Sequence, residues 1–112
     1  PSDLDIGLPK GSGDHTYLAA LNQLTDHLRT VKRPDLIFYN AGVDPHADDR
    51  LGLLNLSSDG LRGRDRAVLS FAAAHAIPVA IVMGGGYSKD ASAVAARHMI
   101  TVETALELYA PA

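Results

Sequence analysis

The sequence predicts an α/β fold in which crossover helices join the strands of a parallel sheet. Three observations carry this: helix-period apolar spacing in three stretches, two short uninterrupted apolar runs between them, and a glycine turn directly after the second run. Strands that alternate with helices imply parallel pairing through right-handed crossovers.

Residues 1–13 include Pro1, Gly7, Pro9, Gly11 and Gly13, too many breakers for regular structure, and read as an irregular lead-in. From Asp14, the spacing of Tyr17, Leu21, Leu24, Leu28 and Val31 is that of one helical face. Asp14 is the expected N-cap, and Lys32, Arg33 and Pro34 the stop. Leu36 to Tyr39 form a continuous apolar run, the pattern of a strand covered on both faces. Asn40 to Leu56 then make a polar loop of a length that is often functional.

Ser57 or Ser58 caps the next helix, whose expected inner face is Leu61, Val68, Phe71, Ala72 and His75. Asp59 in its first turn complements the helix dipole. Ile77 to Met83 form the second buried-type strand and run straight into Gly84-Gly85-Gly86-Tyr87. A last helix starts near Ser88 or Asp90, with Val94, His98, Val102, Ala105 and Tyr109 expected on its inner side. No internal repeat, low-complexity segment or second domain interrupts this order.

Composition narrows the function classes. The chain has 112 residues, 46% of them hydrophobic, which suits one small globular unit. At that size roughly a third of the unfolded chain's surface stays exposed, so a piece of a larger sheet would be marginal alone. A net charge of -3 argues against broad attraction to nucleic acid or to an anionic membrane. Ile77 to Met83 are far short of the ~20 apolar residues a membrane helix needs. With no cysteine there is neither a disulfide framework nor a thiolate metal site, which fits a reducing cytoplasm. The chain opens at Pro1 rather than at methionine, and an upstream segment is expected to belong with it.

Ligands of parallel sheets bind beyond the carboxyl ends of the strands, so the two segments that follow the strands hold the candidate chemistry. In the first, Asp44, His46, Asp48 and Asp49 lie within six residues and offer the oxygen and nitrogen donors that zinc or iron accepts. An acidic surface loop with Asx-turns accounts for the same spacing equally well. In the second, three consecutive glycines suit a backbone that must approach a ligand or take positive φ, and Tyr87 directly after them can offer its hydroxyl. A plain strand-to-helix turn is the simpler account. A phosphate cradle is a weaker one, since neither a GxGxxG nor a GxxxxGK[ST] pattern is present.

Taken in order, Asn40-Ala41-Gly42-Val43-Asp44, Asp49-Arg50-Leu51-Gly52 and Gly84-Gly85-Gly86-Tyr87 resemble the C-terminal portion of the histone deacetylase superfamily, in its bacterial and class IV-like branch. The lead-in Leu8-Pro9-Lys10-Gly11-Ser12-Gly13-Asp14 with Tyr17-Leu18 adds to the resemblance, which runs from about Asp5 to Thr101. It implies that residues 1–112 are the C-terminal portion of a single domain with an arginase/deacetylase-like three-layer α/β/α fold. It implies a metal-dependent hydrolysis of N-acetyl amides, on acetyl-lysine or a small acetylated amine. Asp49 falls on the third ligand of the catalytic zinc, and Tyr87 on the tyrosine that hydrogen-bonds the oxyanion. Leu56 falls on a leucine at the mouth of the acyl-lysine channel, Gly85 and Gly86 on its wall, and Asp44 on a loop-holding carboxylate behind the metal.

Two features of the family are missing from these residues. The Asp-x-His pair of metal ligands and the adjacent histidines that activate water lie upstream in the family, so one of three expected ligands is present. Asp44-Pro45-His46 has the Asp-x-His spacing inside the wrong loop and reads as coincidence. His15 and His27 read as solvent-facing, His75 and His98 as packing residues. The resemblance implies zinc, though ferrous iron accepts the same Asp, His and Asp set. The alternative is a catalytically incomplete α/β module that serves as structure or as an interaction surface.

Overall fold

The structure, a computed structural model, describes residues 2–110, so Pro1 of the lead-in lies outside them. Its elements are α1 (Asp14–Leu28), β1 (Ile37–Gly42), α2 (Ser58–Ala74), β2 (Val79–Gly84) and α3 (Ala91–Tyr109). The order is the expected one. β1 and β2 pair in parallel from Ile37 opposite Val79 to Gly42 opposite Gly84, so both strands deliver their following loops to one end of the sheet.

Each helix end has a local cause. Gly13, not Asp14, caps α1, because the Asp14 carboxylate is engaged elsewhere. It accepts the Ser57 N–H at 2.8 Å and the Ser57 hydroxyl, tying the start of α1 to the start of α2. The Ser57 hydroxyl in turn accepts the Gly60 N–H at 3.0 Å as the N-cap of α2. α1 stops before Val31, because the Thr30 N–H and hydroxyl both turn back to the His27 carbonyl, and Val31 is left exposed. α2 closes with Ala76 at φ +53° and the Ile77 N–H reaching back to the Ala72 carbonyl at 2.9 Å. The Arg33 guanidinium donates to the His75 and Ala76 carbonyls, a cation placed at a helix C-terminus. Asp90 caps α3 by accepting the Ala93 N–H at 3.1 Å.

The core has two parts. Val43, Leu56, Leu61 and Ile100 pack below the loop ends, and Phe71, Ala72 and Ile77 pack with Leu28, Ile37 and Val79 at the other end. α2 lies between α1 and α3. The inner face expected for α3 is displaced: its buried residues are Arg97, Ile100, Thr101 and Thr104, while Val102 and Tyr109 are exposed. α3 is apolar around much of its circumference, and it turns toward α2 the face on which the Thr101 hydroxyl donates to Asp65, while Arg97 lies 3.7 Å from Asp48 of the loop. His75 also departs from its expected core position. It ends α2 at the surface, stacked on Phe71 at 4.3 Å between ring centroids.

Because side chains alternate across a strand, Phe38 and Val82 point away from Tyr39 and α2. They are bare, Phe38 at 75% exposure, and Met83, Leu106 and Met99 add further uncovered apolar surface. Apolar exposure on this scale binds hydrophobic dyes and favours self-association. The chain on its own is therefore expected to bind such a dye strongly and to elute as soluble aggregate. A monomer with a sharp cooperative melt and no dye signal would show it to be self-sufficient. Among the described residues no helix is long and apolar enough to cross a membrane.

Candidate active site

Asp49 links the two segments that follow the strands. It is 8% exposed and lies behind the glycine turn. One carboxylate oxygen accepts the Leu51 and Gly52 N–H groups at 2.9 and 2.8 Å, and the other accepts the Tyr87 N–H at 2.9 Å. Burial on its own pushes the carboxyl pKa up. The three N–H donors and the Arg97 charge outweigh it, so Asp49 titrates below the usual carboxylate range and is an anion at neutral pH.

Gly85 and Gly86 have φ of +66° and +98°. A Cβ at Gly85 would stand 2.4 Å from the Asp44 carboxylate, and one at Gly86 would stand 2.6 Å from Val94. Only glycine satisfies both the dihedral and the space. Gly86→Ala is therefore expected to cost about 1–3 kcal/mol for the backbone conformation alone. Urea titration checks this, and an unchanged midpoint would mean that the turn relaxes freely.

The turn and the loop enclose an open, mostly polar cleft of about 340 Å³ lined by Asn40, Asp44, Pro45, Arg64, Gly85 and Tyr87. Tyr87 is 48% exposed at its edge, its ring free to meet a ligand while its N–H is fixed by Asp49. Asp44 lines the cleft against Gly42 and Gly85. The bonds that close the loop are made by Asp49.

Leu56 is displaced from its expected place. A parallel bridge to His46 turns it inward, and it is fully buried against Val43, Leu61 and Ile100, with no surface to offer a channel. Asp44 and His46 do not form a ligand pair. His46 faces a second hollow, with Ser58 at 3.2 Å from Nε2, while its Nδ1 accepts the Asp48 N–H at 3.1 Å. Burial, followed by the Arg97 charge, lowers its pKa and keeps the ring neutral.

Beneath the cleft lies a buried polar network that the sequence reading missed. Arg64 and Asp65 are 3% and 0% exposed. The Asp65 carboxylate accepts Arg64 Nε at 3.0 Å, the Thr101 hydroxyl at 2.6 Å and the Tyr39 hydroxyl. Burial first, and then the Asp65 charge and hydrogen bond, push the Tyr39 pKa well above the usual phenol range despite the nearby Arg64, so this tyrosine stays neutral. The signal was present in the spacing. Asp65 falls between Leu61 and Val68 on the inner stripe of α2, and an ionisable residue there must be paired.

A histone deacetylase domain model matches residues 2–102. The chain belongs to the histone deacetylase family. It is 45% identical over 108 residues to an uncharacterized protein of Picosynechococcus sp., covering 96% of this chain and 36% of that protein. It is 35% identical over 94 residues to histone deacetylase 2 of Arabidopsis thaliana, covering 84% of this chain and 24% of that one. In fold it is similar to the crystal structure of an acetylpolyamine aminohydrolase from Burkholderia pseudomallei, with a TM-score of 0.78 and 21% identity, covering 94% of this chain and 29% of that one. The α/β architecture with parallel strands is thus that of a deacetylase-family fold, and the chain spans about a quarter to a third of the length of these family relatives.

The donor set does not by itself fit a zinc ion: among the described residues no cluster of three His, Cys, Asp or Glu could hold a metal. Asp49 is the one buried, anionic carboxylate placed at the junction of the two segments.

Proposed function

We propose that the chain is the C-terminal portion of a metal-dependent deacetylase domain that hydrolyses an N-acetyl amide. The observation that supports this most directly is the bond from the Tyr87 N–H to Asp49, which joins the candidate ligand to the candidate oxyanion donor at one end of the sheet. Two further metal ligands and the general base come from the missing N-terminal part of the same domain. Zinc, or ferrous iron, would supply a Lewis acid and an acidified water there.

This chain's own residues bind and orient. Asp49 offers a carboxylate already deprotonated and aimed by three backbone donors, and its anchorage fixes the Tyr87 backbone. The Tyr87 hydroxyl hydrogen-bonds the oxyanion as the acetyl carbonyl becomes tetrahedral. Gly85 keeps its stretch of the cleft wall free of a side chain, so a narrow acyl chain passes close to backbone there, while Gly86 shapes the turn against Val94 and Val43. The substrate is acetylated lysine or a small acetylated amine. Neither a membrane nor a nucleic acid takes part, and the cytoplasm is the site of action.

The test is hydrolysis of an acetyl-lysine peptide and of an acetylated polyamine by the complete domain, before and after chelation. Activity that vanishes on chelation and returns with zinc or ferrous iron is expected. Chelator-resistant hydrolysis, or a metal-loaded domain inert to both substrates, would favour the incomplete structural module instead.

A further inference from the structure

Arg64 has no part in the hydrolysis proposed above, yet it lies almost fully buried in the floor of the cleft. A buried ion pair contributes little net stability over apolar residues of the same volume, so stability alone gives no reason for the Arg64–Asp65 pair. What the pair contributes is position. Asp65 is held from β1 by the Tyr39 hydroxyl and from α3 by the Thr101 hydroxyl, and it holds Arg64 through Nε, with Nη2 at 2.9 Å. The guanidinium lies over the Tyr39 ring, 5.7 Å from its centroid.

So fixed from three elements, Arg64 directs Nη1 at the Gly42 carbonyl, 2.5 Å away. Gly42 is the last rung of β1, opposite Gly84, and the Val43 N–H still bonds the Gly84 carbonyl at 3.1 Å. The backbone leaves the sheet at this point to become the loop that carries Asp44 and Asp49. We propose that Arg64 is a positioning residue for the active site, its guanidinium setting where the Asp44–Asp49 loop departs and hence where Asp49 meets the Tyr87 backbone. The consequence for catalysis rests on the deacetylase reading, while the positioning itself does not.

Lysine keeps the charge at this site but cannot bond Asp65 and the Gly42 carbonyl together, because it lacks the planar fork. In the complete domain, Arg64→Lys is expected to speed hydrogen exchange at the Leu51, Gly52 and Tyr87 amides about tenfold relative to amides within α2. Metal affinity should fall by 10–100-fold, the scale for losing an outer-shell partner of a metal ligand, and kcat should fall with KM nearly constant. Asp65→Asn, which loosens the holder and leaves Arg64 in place, should shift the same readouts less. Ile77→Val, in the separate core at the other end of the sheet, should lower the unfolding midpoint while leaving loop exchange, metal affinity and kcat alone.

Unchanged loop exchange in Arg64→Lys would overturn the proposal. So would Ile77→Val moving loop exchange and metal affinity in proportion to its loss of stability, since the effects of Arg64→Lys would then report stability alone. If the wild-type domain fails to hydrolyse either substrate, it is the deacetylase reading that fails, and the exchange comparison still decides the role of Arg64.

Discussion

Asp49→Asn is expected to remove metal and activity together from the complete domain, with partial rescue at high metal. It is also expected to weaken the fold, because both carboxylate oxygens accept backbone N–H groups. An asparagine amide can turn its oxygen toward Leu51 and Gly52, but its NH2 then faces the Tyr87 N–H, donor against donor. Leaving a buried donor unmet costs about 1–3 kcal/mol. Metal stoichiometry measured beside the urea midpoint separates the two effects. A variant with full metal content and wild-type turnover would remove Asp49 from the ligand set.

Tyr87→Phe is expected to fail differently. The Tyr87 contact with Asp49 runs through its backbone N–H, which phenylalanine retains, and the ring is half exposed. Fold and metal content should therefore be unchanged. kcat should drop ~100-fold or more, the scale for losing one oxyanion donor, with KM moving much less. Near-normal turnover in this variant would exclude the hydroxyl from the reaction.

The parts of the fold legible in the sequence are those where one local signal dominates. The two apolar runs, the serine cap at Ser57 or Ser58 and the glycine triplet each specify an element or a turn, and together they give the parallel order and the shared loop end. The candidate pair of Asp49 and Tyr87 followed from resemblance, and its linking bond could not, because the bond is made by a backbone N–H rather than by a side chain. Periodicity failed on α3, where apolar residues occur around the helix and the buried face was chosen by Thr101 meeting Asp65 across to α2. It failed on Asp14 because a good capping residue was drawn to Ser57, 43 positions away. Leu56 was misplaced for a related reason, since its inward turn depends on a bridge to His46 that no sequence pattern announces.

Every rung of the sheet joins residues 42 positions apart, from Ile37 and Val79 to Gly42 and Gly84. No contact between the strands can form until that whole loop has closed, and the entropy of closure is lost before any rung offsets it. α2, inside the loop, has its own cap at Ser57 and its own stop at Ala76, and can form locally beforehand. The crossover helix is thus the natural early structure, and the strands condense onto it late. Ser57→Ala should accordingly slow refolding, whereas Val82→Ala should mainly speed unfolding. Stopped-flow refolding of the complete domain reads both limbs, and the reverse assignment would mean that the sheet, not the helix, organises the transition state.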